Sequence, residues 1–289
     1  MIKVLITGAT GNVGKEVIRS LILTNQPLKI YAGMRDVNEN CEAFNAEIIE
    51  KISFDFTNLE TVEEALKKCD ILYLLRPPQI SDVKKYFKPL IQQAIICNVK
   101  HIVFLSVQGV EKSTIIPHHK IEKLIVESKI PYTFLRPAYF MQNFTTTLKT
   151  DLIEKKSIYL PAGNAKFTLI DVRDIGAVSA QIILNIKKYA YKSYELTSNE
   201  KLTFQQMSAI LSQQLNEKIS FNSPNLIQFF ISKWKEKTPV MLIFVMIMLH
   251  YFPRFQKSPN ITSCVVEITG KKPISFQQFV LDNKRLLTN

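Results

Sequence analysis

The sequence predicts an α/β protein built on a doubly wound parallel sheet, followed by a smaller C-terminal α/β part. Short apolar runs alternate with helical patterns through the first two-thirds of the chain, as in strands joined by helical crossovers. Such crossovers are nearly always right-handed, so helices are expected on both faces of the sheet. A cluster of glycines directly follows the first apolar run, at the carboxyl end of a predicted strand, where ligands of these sheets bind.

The elements of the sheet are predicted from apolar periodicity and helix-capping residues. Strands are predicted at 2–6, 28–34, 48–55, 71–75, 101–106 and 132–136, and helices at 15–23, 59–67 (capped by Thr57 or Asn58), 83–97 and 117–128. After about residue 140 the pattern becomes irregular, with short strands predicted at 157–160, 166–171 and 193–196, and helices at 175–184, 203–214 and through most of 225–250. We therefore predict one domain over residues 1–150, and a smaller part over 151–289 that is interleaved with the sheet and not independent.

The glycine turn, TGATGNVG at residues 7–14, is the most informative stretch. Gly8 permits the tight turn out of the strand, Gly11 lets backbone approach a phosphate, and Gly14 lets the helix pack closely on the strand. The helix N-terminus adds N–H groups and a partial positive charge. This stretch predicts a dinucleotide pyrophosphate site, the alternative being an ordinary strand–helix turn.

Polar residues also follow the next predicted strands. Arg35 ends the second strand, where an arginine pairs with an adenosine 2′-phosphate, so NADP(H) is favoured over NAD(H) although Asp36 lies beside it. Asp55 ends the third strand, where it would accept from the adenine amino group or cap the next helix. Arg76 precedes two rigid prolines and would contact a phosphate, contact the substrate or point to water.

Composition and charge narrow the class of protein. The chain has 289 residues, 46% of them hydrophobic, and a net charge of +12. The lysines are spread along the chain in short pairs with no basic block, so we predict contact with neither nucleic acid nor membrane. The longest apolar run, 240–252, has 13 residues, fewer than the roughly 20 that cross a bilayer. It is predicted to be a buried or pocket-covering helix, or a dimer contact.

The cysteines and the N-terminal segment bear on the compartment. The four cysteines are widely spaced, so they predict buried reduced thiols and no metal site: Cys41, Cys69, Cys97 and Cys264. The first residues already form a strand and not a secretory signal, so a cytoplasmic protein is expected, as a monomer or homodimer.

Seven more segments follow the glycine turn in order: RD at 35–36, LLRPP at 74–78, VKHIVFLS at 99–106, HHKIEKLIVESKIPYTFLRPAYFMQN at 118–143, PAGNAKFTLIDVRDIG at 161–176, YELT at 194–197 and TGKKPISFQQFV at 269–280. With them the chain resembles the NmrA-like group of atypical short-chain dehydrogenases/reductases, including its NAD(P)H-dependent quinone and azo-dye reductase-like members. The resemblance covers almost the whole chain and is diffuse only over roughly 215–265.

This resemblance implies a Rossmann-like NAD(P)-binding domain, a small substrate-facing part and a cleft between them. It implies that Arg35 takes the 2′-phosphate and that the pyrophosphate is lined by Gly8, Thr10, Gly11, Asn12, Val13 and Gly14. It places the nicotinamide and its ribose near Leu75, Arg76, Pro77, Ser106 and Val107. The substrate side would be lined by Tyr139, Phe140 and Asn143, although Tyr139, Phe140 and Phe144 could equally be ordinary core.

The Tyr-x-x-x-Lys pair usual in short-chain dehydrogenases does not occur between the fifth and sixth strands. His118 fills the lysine position, and Glu122 lies one helical turn later. In one reading the protein is an NADP(H)-dependent oxidoreductase that passes hydride to a quinone, azo compound or similar small flat acceptor, and His118 orients the ribose or relays a proton. In the other it is a non-catalytic NADP(H)-binding redox sensor. The alternative for His118 itself is a helix-start histidine held by Glu122. A nucleoside-sugar epimerase or reductase is a third reading, against which the missing pair counts.

Overall fold

The computed structural model describes residues 1–38, 44 and 46–288. Within them the strands are β1 (Ile2–Ile6), β2 (Leu28–Met34), β3 (Ile49–Ser53), β4 (Ile71–Leu75), β5 (His101–Leu105), β6 (Tyr132–Pro137), β7 (Tyr139–Phe140), β8 (Ser157–Tyr159), β9 (Lys166–Ile170), β10 (Lys192–Leu196), β11 (Lys201–Thr203) and β12 (Ser220–Asn222). The α-helices are α1 (Asn12–Ile22), α2 (Leu59–Lys67), α3 (Lys88–Ile96), α4 (Pro117–Glu127), α5 (Lys149–Lys155), α6 (Val172–Leu184), α7 (Ile186–Tyr189), α8 (Phe204–Leu215), α9 (Leu226–Lys235), α10 (Val240–His250), α11 (Cys264–Thr269), α12 (Phe276–Asp282) and α13 (Lys284–Thr288).

The chain divides into two compact units that alternate along the sequence. Unit 1 comprises Met1–Pro137, Val172–Leu196 and Cys264–Lys272, and unit 2 comprises Ala138–Asp171, Thr197–Ser263 and Pro273–Asn289. The predicted division into 1–150 and 151–289 also assigns a role to each part, cofactor binding to the first and substrate contact to the second. That division stays a prediction.

Unit 1 is built on a seven-stranded sheet in the order β10-β6-β5-β4-β1-β2-β3, in which every neighbouring pair is parallel. The strand order reverses between β1 and β4, and such a switch point is where ligands of open α/β sheets bind. The predicted Rossmann-like, doubly wound parallel sheet is thereby confirmed. The seventh strand, β10, contains the short strand predicted at 193–196, and it pairs with β6 at the edge of the sheet.

Alternate side chains of the strands face opposite layers of helices, because the side-chain period of a strand is two. Leu5, Leu72 and Phe104 are fully buried in the cluster formed with α2, α3 and α4. Tyr73 faces the other layer, where its hydroxyl lies 2.8 Å from Oγ of Ser179 on α6. Both faces of the sheet are therefore covered at its centre, which explains why β4 and β5 read as continuous apolar runs.

Two helices of unit 1 differ from the predicted bounds for local reasons. Helix α1 begins three residues early, since Gly11 is its N-cap. The predicted helix over 83–97 is a π-helical turn, Val83–Phe87, followed by α3, whose first turn contains Pro89. Proline has no N–H to donate to the preceding turn, so a regular α-helix cannot run through this point.

Unit 2 packs its helices around two small sheets, ordered β11-β9-β7 and β12-β8. Its core is rich in aromatic side chains, with Phe144, Phe204, Phe276 and Phe279 all fully buried. Helices α8 and α9 each begin with a capping box, in which the N-cap side chain and the N3 side chain bond each other's backbone N–H groups.

The apolar run 240–252 forms helix α10 and the turn after it. Within α10 only Ile243, Met246 and His250 are buried. Most of the other side chains of this helix are exposed to solvent, so the prediction of a buried helix is wrong. No helix in the described ranges is long and apolar enough to cross a membrane.

The cysteines that the structure describes are free thiols, Cys69 buried and both Cys97 and Cys264 half-buried. Burial raises the pKa of the Cys69 thiol to about 12. The prediction for Cys41 falls outside the described residues. No group of three histidine, cysteine, aspartate or glutamate side chains that could hold a metal ion occurs in the described part of the chain.

Candidate functional site

The turn between β1 and α1 can be built only with glycine at its key positions. Gly8 has a φ of +59°, which L-residues with a side chain rarely adopt. A Cβ on Gly14 would lie 2.8 Å from Ala9 Cα and closer still to the Gly8 carbonyl oxygen, both of them backbone atoms. Helix α1 therefore approaches the turn too closely for any side chain at position 14.

The same turn offers backbone N–H groups to an anion. Gly11 is the N-cap of α1, and no side chain caps the helix or places an acidic group in its first turn. Gly8, Gly11 and Asn12 are exposed, and Thr10 is half-buried. Val13 is buried in the core, so only its backbone could take part in binding. An exposed, uncapped helix N-terminus is suited to binding phosphate.

The end of β2 places Arg35 and Asp36 side by side on the surface. An Asp36 carboxylate oxygen accepts a hydrogen bond from the Asn38 backbone N–H at 2.9 Å. No such bond or ion pair ties down the Arg35 guanidinium among the residues described. The Arg35 guanidinium is therefore open to a ligand, whereas one of the Asp36 oxygens is engaged in the turn.

Asp55, after β3, is engaged in the turn that leads into α2. One of its carboxylate oxygens accepts from both the backbone N–H and the hydroxyl of Thr57, at 2.8 and 2.7 Å. The N-cap of α2 is Asn58, whose side chain accepts from the N–H of Glu60. Turn stabilisation is thus the contact that Asp55 makes here, and its contact with adenine stays a prediction.

The loop after β4 is held by Arg76. Its guanidinium Nη1 donates to the carbonyl oxygens of Pro77, Pro78 and Ile80, at 3.1, 3.2 and 2.9 Å. Its Nε donates to Nε2 of His118 at 3.3 Å. Burial lowers the pKa of this half-buried guanidinium from its ordinary value. Arg76 therefore does not simply point to water: it fixes the loop and the imidazole together.

His118, at the start of α4, is a neutral imidazole. Because its Nε2 accepts from Arg76, its proton lies on Nδ1. Burial, and then the charge of Arg76, lower the pKa of His118 to about 3. The ring stacks on Phe104 of β5, with centroids 6.0 Å apart. His118 is thus held by Arg76 and Phe104 and uncharged at neutral pH.

The predicted pairing of His118 with Glu122 is wrong. Glu122 instead accepts two hydrogen bonds from the Arg136 guanidinium, from Nε at 3.1 Å and from Nη2 at 2.7 Å. A bidentate arginine matches both carboxylate oxygens, which a histidine cannot do. The charge of Glu122 is therefore compensated from β6, and Arg76 is the partner of His118.

Ser106 follows β5, beside the end of β4, since Leu75 and Leu105 are paired in register. It is 2% exposed, and its hydroxyl has no hydrogen-bond partner in the part of the chain that the structure describes. A buried hydroxyl left unpaired costs about 1–3 kcal/mol. Leu75, Pro77 and Val107 nearby are half-buried. An unpaired hydroxyl at this end of the sheet fits a bound polar group.

Sequence reasoning missed the side chain that joins β1 to β4. The buried hydroxyl oxygen of Thr7 accepts from the Leu75 backbone N–H at 2.8 Å, which ties the start of the glycine turn to the loop of Arg76. Thr7 is the first residue of the glycine motif, and its position there was the only signal in the sequence for this contact.

The predicted substrate residues belong to unit 2. The Tyr139 hydroxyl lies 3.1 Å from Nε2 of His250, whose Nδ1 lies 2.6 Å from the Met246 carbonyl oxygen. Burial lowers the pKa of His250 to about 4, so this ring is neutral and Tyr139 donates to it. Phe140 and Asn143 are half-buried. Phe144 is ordinary core, packed on Phe276.

The parallel sheet, its switch point and the glycine turn define a nucleotide-binding α/β protein of the Rossmann type. The candidates for contacts beyond the turn are Arg35, Arg76 and Ser106 at strand ends and His118 at the start of α4. The chain belongs to the NmrA-like family, whose model matches residues 2–238, so the resemblance read from its motifs is confirmed.

Two curated relatives match nearly the whole chain. Prestalk A differentiation protein A of Dictyostelium discoideum is 28% identical, over 96% of this chain and 90% of its own length. NAD(P)H azoreductase of Xenophilus azovorans is 26% identical, over 96% of each protein. Among solved structures, an NADPH-dependent quinone oxidoreductase of Escherichia coli in complex with NADPH has a TM-score of 0.86 at 22% identity, covering 96% of this chain and 98% of that one. This structural likeness shows a shared fold.

Proposed function

We propose that the protein is an NADP(H)-dependent oxidoreductase that passes hydride to a quinone, azo compound or similar small flat acceptor. The observation that carries the proposal is the turn between β1 and α1, where only glycine fits at position 14 and an uncapped helix N-terminus is exposed. The names of the azoreductase and quinone oxidoreductase relatives support the same class of reaction.

The cofactor of this proposal is NADP(H), as the sequence predicts, with NAD(H) the weaker alternative. The N–H groups at the start of α1, from Asn12 onward, would hold the pyrophosphate, since those of Ala9 and Gly11 already donate to backbone carbonyl oxygens. Arg35 would take the adenosine 2′-phosphate, because its guanidinium is exposed and pairs with phosphate through charged hydrogen bonds. The buried, unpaired hydroxyl of Ser106 would accept or donate a hydrogen bond at the nicotinamide end. When bound, NADPH supplies the hydride.

The acceptor class follows from the charge of His118. Its imidazole is neutral at pH 7 and locked by Arg76, so it cannot act there as a cationic acid. Reduction of a simple carbonyl leaves an alkoxide that needs a proton donor, whereas a hydroquinone anion is delocalised and water can protonate it. In this proposal the Nδ1–H of His118 orients the cofactor ribose or a water by hydrogen bonding. Tyr139, Phe140 and Asn143 stay candidate contacts for the acceptor.

The second candidate function is a non-catalytic NADP(H) sensor. It is favoured by the same neutral His118, which leaves the site without an evident proton donor. The relative in Dictyostelium discoideum, whose name states no reaction, is compatible with such a role. The two candidates share the cofactor and differ only in turnover.

Turnover is tested by mixing the protein with NADPH and a panel of quinones and azo dyes and following absorbance at 340 nm. We expect NADPH loss with at least one flat acceptor, reduced in His118→Ala. Tight NADPH binding with no turnover across the panel would decide for the sensor.

The cofactor is tested separately by calorimetric titration. Arg35→Ala should weaken NADPH binding by roughly 10- to 100-fold, the value of one charged hydrogen bond, and leave NADH binding unchanged. Arg19→Ala, which also removes an exposed arginine, is the matched control. An unchanged preference in Arg35→Ala would show that the 2′-phosphate is recognised elsewhere.

A further inference from the structure

Residues 226–257, the α9–α10 segment, expose a large apolar surface in unit 2. Trp234 is 61% exposed, Met241 74% and Phe255 70%. The other large apolar side chains exposed on this segment are Ile227, Ile231, Val240, Leu242, Phe244, Val245, Met248, Leu249 and Phe252. Contiguous exposed apolar surface of this kind marks a contact with another apolar partner.

Helix α10 is apolar on the side that faces water as well as on the side that packs. Its buried residues, Ile243, Met246 and His250, follow the i, i+3, i+7 spacing of one stripe. Met241, Val245 and Met248 lie opposite that stripe and are exposed. No charged side chain occurs from Thr238 to Leu249. A helix that only packed against unit 2 would carry polar residues on this outer side.

The charged side chains around α10 are mostly positive. The α9–α10 segment contains five basic residues and one acidic residue, Glu236. The Glu236 carboxylate is already paired with Lys155 at 2.6 Å and with Lys233 at 2.8 Å. Lys235 and Lys237 precede the helix and Arg254 and Lys257 follow it, and all four are exposed. The apolar helix is therefore bracketed by uncompensated positive charge.

We propose that α10 and its flanking aromatic residues dock peripherally on an anionic membrane, with the helix lying in the headgroup–acyl boundary. An exposed apolar surface can be buried in the headgroup–acyl boundary, and binding strengthens with the apolar area buried and with basic side chains that attract anionic lipid. Eleven residues of helix span roughly 16 Å, too short to cross a bilayer but suited to lying along its surface. The proposal replaces the expectation of no membrane contact, which rested on the even spread of lysines in the sequence.

A second copy of the chain is the other occupant to consider. In a two-fold dimer the same patch meets itself, so the positive charges around α10 on the two copies would be brought together. This repulsion disfavours a self-complementary contact and leaves anionic lipid as the partner that matches both the apolar helix and its charge.

Vesicle binding tests the proposal without any measurement of turnover. Trp234 is the only tryptophan in the sequence, so its emission should shift to the blue when vesicles of phosphatidylcholine with 30% phosphatidylserine are added. The protein should co-sediment with these vesicles, more weakly with pure phosphatidylcholine and more weakly at high salt. Lys235→Gln and Lys237→Gln should each reduce binding to the anionic vesicles by about fivefold.

Met241→Glu should reduce binding at least tenfold, because it places a charge on the outer side of α10. Ile115→Glu, at an 80% exposed position in unit 1, adds the same charge and should bind like the parent protein. Equal melting curves would show that both variants are folded. No co-sedimentation and no shift of Trp234 emission with either vesicle would overturn the proposal. It would equally be overturned by a dimer in solution that Met241→Glu dissociates, since α10 would then cover a second copy.

Discussion

Replacing Gly14 by alanine adds one methyl group at the point where α1 meets the turn after β1. The new Cβ would lie 2.8 Å from Ala9 Cα and closer to the Gly8 carbonyl oxygen, whereas ordinary contacts of a Cβ begin near 3.4 Å. The atoms it meets are backbone, so no flexible side chain can move aside. Either the helix or the turn has to shift by more than half an ångström.

The cost of that shift can be estimated from overpacking in other cores. Inserting a methylene into a well-packed site costs about 1–3 kcal/mol, so Gly14→Ala should lower the free energy of unfolding by that amount. The same shift displaces the N–H groups proposed to hold the pyrophosphate. A misplacement on the order of 1 Å can cost a factor of about 100 in a positioned interaction, so we expect NADPH affinity to fall at least tenfold.

Two other glycines make the test specific. Gly11→Ala adds a Cβ 3.2 Å from the Gly8 carbonyl oxygen at an ordinary φ of −76°; it should weaken NADPH binding and change stability little. Gly270→Ala has open space but a φ of +70°, so it should cost about 1 kcal/mol of stability and leave binding unchanged. Denaturant unfolding and calorimetric titration measure both quantities. The reasoning fails if Gly14→Ala keeps the parent's affinity for NADPH, or if Gly11→Ala does.

Three further predictions concern ionisable side chains. With a quinone acceptor, kcat/KM should show no titration near pH 6.5, because the pKa of His118 is about 3; a limb at that pH, absent in His118→Asn, would contradict a neutral imidazole. His250 has its pKa lowered to about 4 in the fold, against roughly 6.5 unfolded. The folded form thus binds fewer protons, so stability is full above pH 6.5 and falls by about 2 kcal/mol between pH 7 and pH 5; this loss should be smaller by that amount in His250→Gln, and an equal loss in both proteins would refute the assignment. Lys233→Met should lower the free energy of unfolding by about 1–2 kcal/mol, less than a fully broken buried pair costs, because the buried Asp151 carboxylate loses Lys233 but keeps Lys155 at 2.8 Å; Lys233→Met in an Asp151→Asn background should cost less, and equal costs would mean that the pair is not coupled.

The sheet could be predicted from the sequence because its inner strands, such as β4 and β5, are buried and read as unbroken apolar runs. The bounds of α2 agree with the prediction, since Asn58 caps the helix with a local side chain. The edge strand β10 was predicted as a short strand in the C-terminal part; pairing between distant segments leaves no signal in local periodicity.

The partners in the site were harder to predict for the same reason. Helical spacing places Glu122 one turn after His118, but Arg136 arrives from β6 and takes the carboxylate with two hydrogen bonds. The partner of His118, Arg76, comes from the loop after β4. The exposure of α10 was missed because hydropathy measures how apolar a residue is and not whether anything covers it.

The most direct test of the account is a single-turnover experiment. The protein is loaded with one equivalent of NADPH, excess soluble quinone is added without oxygen, and absorbance at 340 nm is followed together with hydroquinone formation. The account predicts that the bound NADPH is consumed and that one hydroquinone appears for each NADPH lost. NADPH that stays bound and unoxidised in excess quinone, across the acceptor panel, would contradict it.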